Sequence, residues 1–324
     1  MYDLQNRNID YLRVSVTDRC NLRCVYCMPE EGVAPVPHDQ ILTFEEIVRV
    51  CGCASRLGVR KIKLTGGEPL VRRGFVGLVR AVKALPLIEQ VTLTTNGILL
   101  YDMLDELSDA GLDAVNISLD TLNPEQFIKI TRRDGLDRVT KAVEKALEKK
   151  IKVKINTLPV RGLNGGGLAE IAALAKENPV DVRFIELMPV GYGKMFTPIY
   201  SEEIREELRQ AFGPLTPFDG AQGNGPAVYY SLEGFKGKIG FISAVSHEFC
   251  AACNRVRLTS TGFLKLCLDH DTGIDLKGPL RGGIGDEELT RLIHEAILNK
   301  PAHHNFSGEA DGSMETKGMS QIGG

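Results

Sequence analysis

The chain has 324 residues, of which 43% are hydrophobic and 25% are charged. That length suffices for one large α/β domain with a sizeable core and a smaller second domain. The net charge of −3 excludes a global field that attracts nucleic acid, so an anionic ligand must meet locally placed cations. No apolar run approaches the ~20 residues of a membrane span, and the N-terminus lacks a signal-peptide core. We therefore expect a cytoplasmic protein with no membrane and no stable nucleic-acid partner.

Short apolar runs rich in β-branched residues alternate with helix-like stretches in the first part of the chain, which predicts six βα units. The predicted strands are residues 12–16, 61–64, 91–94, 114–118, 153–157 and 182–187. Parallel crossovers wind right-handedly into either an open doubly wound sheet or a barrel, and periodicity does not choose between them. In both cases the reactive residues should lie at the carboxyl ends of the strands.

The first predicted strand is followed by three closely spaced cysteines, Cys20, Cys24 and Cys27. A closed zinc or iron-sulfur site usually takes four protein ligands, so three thiolates on a 4Fe-4S cube leave one iron open for a small molecule. The alternatives are a zinc loop with a distant fourth ligand or three ordinary core cysteines. The spacing, with Tyr26 inside it, resembles that of the radical S-adenosylmethionine (SAM) superfamily, in which the open iron chelates SAM.

The first predicted helix begins with a capping box formed by Thr43 and Glu46. Its apolar face includes Cys51, whereas Cys53 points to another face, so the two cannot chelate one metal together. We assign both to packing. The next strand is followed by Thr65-Gly66-Gly67-Glu68-Pro69, which in isolation reads as a Gly-Pro turn. Downstream of the cysteine loop it resembles the superfamily segment whose backbone holds the SAM amino group.

The pattern changes after residue 190. Gly213-Pro214 and a glycine-rich loop mark a boundary, and short strand-like runs follow at 227–231, 238–242, 255–259 and 263–267. We predict a barrel domain over residues 1–213, a small, mostly antiparallel domain over 214–300, and a flexible polar tail over 301–324.

A second cysteine trio, Cys250, Cys253 and Cys267, falls in the predicted small domain. His247 offers an alternative, because with the three cysteines it would form a Cys3His structural zinc site. Arg255 and Arg257 follow directly and, by strand alternation, share one face. Two parallel guanidiniums suit a phosphate-bearing ligand, although a solvated pair on an exposed strand would show the same spacing.

The whole chain resembles the family of molybdenum cofactor biosynthesis protein A, the GTP 3',8-cyclases, which are radical SAM lyases. The resemblance rests on LRVSVTDRCNLRCVYCMP, LTGGEPL, TTNG, NISLDTL, RFIELMP, FCAACNRVRLTSTGFLKLC and the terminal Gly-Gly. It implies an α/β fold with a partial (β/α)6 TIM-like barrel and a C-terminal cluster-binding domain.

The resemblance also implies the site residues and two 4Fe-4S clusters. The first cluster would be held by Cys20, Cys24 and Cys27, and the second, which contacts the substrate, by Cys250, Cys253 and Cys267. SAM would be bound by Tyr26, Gly67, Ser118 and Met188, and GTP by Arg13, Lys63, Thr94, Lys154, Arg255, Val256 and Arg257. The family's Gly-Gly tail, here Gly323 and Gly324, is held to enter the active site and support catalysis.

The implied reaction is the first step of molybdenum cofactor (molybdopterin) biosynthesis. A 5'-deoxyadenosyl radical made from SAM takes the 3'-hydrogen of the GTP ribose, and the carbon radical attacks guanine C8 to give (8S)-3',8-cyclo-7,8-dihydroguanosine 5'-triphosphate. The implied partners are an electron donor such as flavodoxin or ferredoxin and the downstream cyclic pyranopterin monophosphate synthase. The sequence leaves monomer and homodimer open.

Two other functions fit parts of the sequence. A radical SAM peptide-modifying maturase also carries C-terminal clusters, but usually with more cysteines than the second trio supplies. A zinc-stabilised module could instead place Arg255 and Arg257 on nucleic acid. Iron and sulfide analysis separates these possibilities.

Overall fold

The computed structural model describes residues 1–220, 222–306, 315 and 317–323. Six parallel strands, each within one or two residues of its predicted bounds, form the first part of the fold: β1 (Tyr11–Ser15), β2 (Lys61–Thr65), β3 (Gln90–Thr95), β4 (Ala114–Ser118), β5 (Lys152–Thr157) and β6 (Asp181–Ile185). The helices between and after them are α1 (Phe44–Arg56), α2 (Phe75–Lys83), α3 (Leu100–Asp109), α4 (Pro124–Thr131), α5 (Leu136–Glu148), α6 (Leu168–Glu177) and α7 (Ser201–Phe212).

The C-terminal part contributes shorter elements. Its strands are β7 (Thr216–Phe218), β8 (Val228–Ser231), β9 (Ile239–Ile242), β10 (Arg255–Leu258), β11 (Phe263–Lys265) and β12 (Gly273–Asp275). Its helices are α8 (Lys277–Arg281), α9 (Asp286–Leu298) and α10 (Met319–Ile322).

These strands join one sheet in the order β12-β11-β10-β1-β2-β3-β4-β5-β6-β9-β8-β7. The C-terminal strands pair antiparallel with one another, as predicted, but β10 pairs parallel with β1 and β9 pairs parallel with β6. They therefore extend both edges of the parallel sheet. Side chains from β1, β6 and β10 line one cavity, so the sheet curves into the predicted partial barrel. The predicted domain boundaries at 213 and 300 stay predictions.

Alternation along the strands separates a packed outer face from a polar inner face. The outward positions are apolar and buried, with Leu12 and Val14 on β1 and the corresponding pairs on the next five strands. The alternate positions carry polar or charged side chains on several strands, among them Arg13, Lys63 and Lys154. Because helices cover only the outer face, the inner face provides a polar binding site.

Helix α1 has the predicted capping box, in which the Thr43 side chain accepts from the Glu46 backbone amide and Glu46 accepts from the Thr43 amide. Cys51 and Cys53 are buried, with 0% and 1% exposure, and belong to the hydrophobic core. Their assignment to packing is confirmed. Among the described residues, no helix combines the length and apolarity needed to cross a membrane.

Candidate functional site

The first cysteine trio lies in the loop that leaves β1. The Cys27 amide donates to the Cys24 carbonyl at 2.9 Å, which closes a turn. The amides of Arg23 and Val25 donate to carbonyls at the end of α4 at 2.9 and 3.0 Å. These bonds fix the loop to the barrel wall and aim all three thiols into the cavity.

The first trio suits a metal centre. Burial raises the pKa of Cys20 and of Cys24, and it raises the pKa of Cys27 to about 12. A buried thiolate is costly without a cation, so three converging buried thiols make chemical sense around a positively charged group. All eight cysteines are free thiols, which leaves both trios available as ligands.

The spacing of the sulfurs distinguishes a cluster from a single zinc ion. Sulfur ligands of a tetrahedral zinc lie about 3.8 Å apart, given a Zn–S bond of about 2.3 Å. In the described part of the chain only Glu248, Cys250 and His303 form a group of such ligands within 4.8 Å of one another. Neither trio is that compact, so both fit a multi-iron cluster better. His247 is exposed, with its Nδ1 at 3.1 Å from the Ser246 hydroxyl.

The glycine-rich segment after β2 lies directly against the loop that leads to Cys20. The Gly67 amide donates to the Thr17 carbonyl at 2.7 Å, and a Cβ on Gly67 would lie 2.4 Å from the Arg19 carbonyl oxygen. Only glycine allows this approach. Gly67 also lines the cavity, as expected for a residue whose backbone contacts a ligand.

Glu68 is a residue of this segment whose role the sequence did not reveal. It is 1% exposed, and its carboxylate accepts from the Thr95 hydroxyl at 2.8 Å and the Asn96 amide at 2.7 Å. Burial raises the pKa of Glu68 to about 7. The carboxylate ties the end of β3 to the segment after β2, so it shapes the cavity without facing it.

Tyr26 is held by a second acid that the sequence analysis did not single out. Its hydroxyl donates to Asp120 Oδ2 at 2.5 Å, and Asp120 Oδ1 accepts from the Leu158 amide at 2.8 Å. Burial raises the pKa of Asp120 to about 6. The sequence does carry a signal for this role of Asp120, because the residue follows β4 within the NISLDTL motif, at the carboxyl edge of the sheet.

The second trio lies at the other end of the barrel. Arg255 pairs with Tyr11 at the start of β1, so Cys253 lies near the amino end of β1, whereas Cys20 follows its carboxyl end. Both trios line the same cavity of about 360 Å³, a size typical of small-molecule sites. The trios therefore face each other along the barrel.

Cationic side chains occupy the wall between the trios. They come from β1, β2, β5, β6 and β10: Arg13, Lys63, Lys154, Arg183, Arg255 and Arg257. Burial and then the neighbouring Arg183 lower the pKa of Lys63 well below its usual value. Burial lowers the pKa of Lys154 to about 8. Burying several cations close together is unfavourable without a counter-charge. Their concentration on this wall therefore indicates that the cavity accommodates an anionic ligand.

Arg183 and Asn116 belong to this wall but were missed from sequence. With its amide oxygen turned toward the cations, Asn116 accepts from Arg183 Nη2 at 2.8 Å and Lys63 Nζ at 2.5 Å. Arg183 also donates to Asn156 Oδ1 at 2.9 and 2.6 Å. Strand alternation would have found both, since each occupies an inward strand position.

Most predicted site residues line the cavity. Those that do so are the six cysteines of the two trios, Tyr26, Gly67, Ser118, Met188, Arg13, Thr94, Arg255 and Arg257. Lys63 and Lys154 are buried in the wall, and the Val256 side chain is 1% exposed within the hydrophobic core. Val256 can thus offer a ligand only its backbone.

The C-terminal tail enters the site region. The Gly323 carbonyl accepts from Arg257 Nη1 at 2.8 Å, and a Cβ on Gly323 would lie 2.8 Å from the Ser15 Cβ. Gly324, the other predicted tail residue, lies outside the described residues.

The chain matches the Radical SAM superfamily over residues 14–175 and Molybdenum Cofactor Synthesis C over residues 180–306. It also resembles the crystal structure of Streptococcus suis SuiB, with a TM-score of 0.62 and 18% identity over 82% of this chain and 62% of that one. This structural likeness supports the fold. The superfamily match, the curved sheet and the three-cysteine loop define a radical SAM protein.

Curated relatives specify the protein further. The chain is 48% identical over 324 residues to the GTP 3',8-cyclase of Clostridium perfringens, and 49% identical over 328 residues to that of Desulforamulus reducens, with 100% of each chain covered. The chain belongs to the GTP 3',8-cyclase family. This membership confirms the predicted enzyme class and the use of SAM with 4Fe-4S clusters.

Proposed function

We propose that this chain converts GTP to (8S)-3',8-cyclo-7,8-dihydroguanosine 5'-triphosphate by the radical route, with the two trios as its cluster ligands. The observation that carries the proposal is one cavity with a three-cysteine site at each end and cations on the wall between them. A site for radical generation and a site for an anionic nucleotide are thereby brought together. A zinc-stabilised binding module would require only one of the two cysteine sites.

The first trio and its neighbours prepare SAM for cleavage. A 4Fe-4S cluster on Cys20, Cys24 and Cys27 would supply the electron that splits SAM into methionine and a 5'-deoxyadenosyl radical. The Gly67 backbone lies close to this loop and is free of side-chain interference. Tyr26, fixed by Asp120, presents its ring to the same space.

The wall cations would position GTP. Arg13, Arg255 and Arg257 line the cavity and would bind triphosphate oxygens, for which guanidinium geometry is suited. Lys63 offers a single nitrogen donor in the wall and lacks the bidentate fork of an arginine. Arg183 joins this set because it shares Asn116 with Lys63. The second trio, beside Arg255, would direct the guanine base.

The protein also needs partners that the site does not identify. We include an electron donor such as flavodoxin or ferredoxin and the downstream cyclic pyranopterin monophosphate synthase in the proposal. A cytoplasmic location fits eight free thiols, because iron-sulfur ligands must stay reduced.

The decisive experiment is anaerobic incubation of the reconstituted protein with GTP, SAM and dithionite. We expect about eight irons per chain, 5'-deoxyadenosine and a cyclised guanosine triphosphate. Zinc without iron, or the absence of both organic products, would refute the proposal.

Lys154 gives the proposed GTP site a defined pH dependence. Its Nζ lies 2.9 Å from the Tyr229 hydroxyl and 3.4 Å from Asp181 Oδ2, and burial followed by Arg183 lowers the pKa of Lys154 to about 8. The ammonium is present below pH 8 and lost above it. We therefore expect GTP affinity to fall above pH 8, approaching about tenfold per pH unit.

Equilibrium binding of GTP to the two-cluster protein without SAM, from pH 6.5 to 9.5, checks this expectation. The matched variant is Lys154→Arg, whose guanidinium stays charged throughout. The ionisations of GTP itself affect both proteins equally. Parallel curves for the two proteins would show that Lys154 does not bind the nucleotide.

The tail makes a separate prediction. Deleting Gly323 and Gly324 should leave both clusters and folding intact but abolish cyclisation, because Arg257 loses the Gly323 carbonyl that it contacts at 2.8 Å. Iron content, 5'-deoxyadenosine and cyclised product are measured together. Full cyclisation by the truncated chain would refute the role of the tail.

A further inference from the structure

We propose that the ion pair between Lys265 and Glu315 is a latch that holds the C-terminal tail in the cavity and positions Gly323 against Arg257. This inference rests on the proposed role of the tail in cyclisation. In this scheme Lys265 and Glu315 are positioning residues that do not touch the substrate.

Both members of the ion pair are buried. Lys265 Nζ lies 2.5 Å from Glu315 Oε2, and each side chain is 1% exposed. Lys265 also donates to the His270 carbonyl. On the tail side, the Glu315 amide donates to the Asp269 carbonyl at 2.6 Å, and Glu315 Oε1 accepts from the Lys317 amide at 2.7 Å. Fully buried Lys and Glu are rare unless paired, so this contact fixes one point of the tail.

The latch lies on the same hairpin as the residue that contacts the tail end. Lys265 on β11 is directly opposite Arg257 on β10 in the antiparallel register. Directly opposed residues project to the same side of a sheet. Glu315 pairs with Lys265, and the Gly323 carbonyl accepts from Arg257. Glu315 and Gly323 are therefore both anchored to neighbouring positions of one hairpin.

Between these anchors the tail passes close to the first trio. Ser320 and Cys27 line the same cavity, and a Cβ on Gly318 would lie 3.9 Å from the Cys27 carbonyl oxygen. A Cβ on Gly191 would lie 2.9 Å from the Gly318 Cα. Helix α10 in this segment is a single turn (Met319–Ile322), and isolated turns are unstable in water. Its position therefore depends on tertiary anchors such as the latch.

The loop that carries Cys267 has supports that do not involve Glu315. Lys300 Nζ donates to the Leu266 carbonyl at 2.6 Å, and the Asn305 amide donates to the Asp269 carboxylate at 2.6 Å. Loss of the latch acid should therefore free the tail while the second trio keeps its geometry.

The test variant is Glu315→Gln in the chain with both clusters reconstituted. Breaking a buried pair strongly favours the undocked tail, so we expect amide exchange at Ser320–Gly323 to accelerate by about 100-fold. Iron content and 5'-deoxyadenosine formation should stay at the wild-type level, while cyclised product per 5'-deoxyadenosine falls about tenfold or more.

Two further variants make the result specific. The double variant Lys265→Met/Glu315→Met removes both charges together, and apolar replacement of a whole buried pair is often tolerated. It should recover much of the exchange protection and of the product ratio. The matched control Lys317→Arg keeps the charge of an exposed tail lysine, whose Nζ lies 5.8 Å from the centroid of the Phe263 ring, and it should behave as wild type.

The outcomes separate the latch from the function on which it rests. Absence of cyclised product in the wild-type protein would contradict the proposed function. With an active wild type, unchanged exchange and product ratio in Glu315→Gln would overturn the latch. Loss of iron from Glu315→Gln would overturn it too, since the acid would then support the Cys267 loop. A double variant no better than Glu315→Gln would also count against a paired latch.

Discussion

Replacing Cys267 by alanine is expected to lower the iron content from about eight to about four per chain and to abolish cyclisation. Cys267 lines the cavity together with Cys250 and Cys253, so its loss leaves the second cluster with two thiolates. The first trio lies at the opposite end of the barrel. Reductive SAM cleavage should therefore continue, and 5'-deoxyadenosine should still form without cyclised product.

The matched variant His247→Ala distinguishes this site from a Cys3His zinc centre. His247 is exposed, and its ring contacts the Ser246 hydroxyl. We expect the variant to retain about eight irons and wild-type product formation. If His247→Ala loses metal while Cys267→Ala keeps it, the proposed ligand set of the second site is wrong.

Gly67→Ala should abolish SAM binding and, with it, all radical chemistry. The added Cβ would lie 2.4 Å from the Arg19 carbonyl oxygen and 2.6 Å from that of Asp18. Because both neighbours are backbone atoms, they cannot yield by a side-chain rotation. The segment after β2 must move away from the loop that leads to Cys20, and a displacement of about 1 Å in a positioned site costs about 100-fold in rate.

Gly77→Ala is the matched control for this substitution. Gly77 lies within α2, where a Cβ meets nothing within 4 Å, and alanine favours the helix. This variant should bind SAM normally and unfold at the same or a slightly higher temperature. SAM titration and thermal unfolding check both variants, and normal SAM binding by Gly67→Ala would contradict the proposed role of this backbone.

Local patterns predicted the fold elements and the two cysteine trios, whereas the family resemblance implied most of the residues expected to bind SAM and GTP. Strands such as β4 are encoded by apolar runs of period two, and the start of α1 by its capping box. On β5 the charge of Lys154 interrupts the apolar alternation and marks an inward position. Arg183 and Asn116 occupy inward positions too, but their role depends on neighbouring strands, since Asn116 lies beside Lys154 and Arg183 beside Asn156 in the sheet.

Contacts between distant parts of the chain could not be predicted in this way. Tyr26 and Asp120 are 94 positions apart and meet because β1 and β4 end at the same edge of the barrel. Glu68 resembled part of a turn, yet it fixes the end of β3. The burial of the Glu68 carboxylate could not be predicted from its sequence neighbours, because the residues that surround it and donate hydrogen bonds to it lie 27 and 28 positions away.

By itself, the sequence determined the chemistry available to this protein: two cysteine trios, a glycine segment, and cations at alternate positions along the strands. These depend on residue type and short spacing, which the chain encodes locally. Only the tertiary structure decided that the trios face each other along one barrel, that Lys63 and Lys154 lie within its wall, and that Glu315 meets Lys265. Strand register and the return of the tail set these relations, and both arise from packing between segments far apart in the chain.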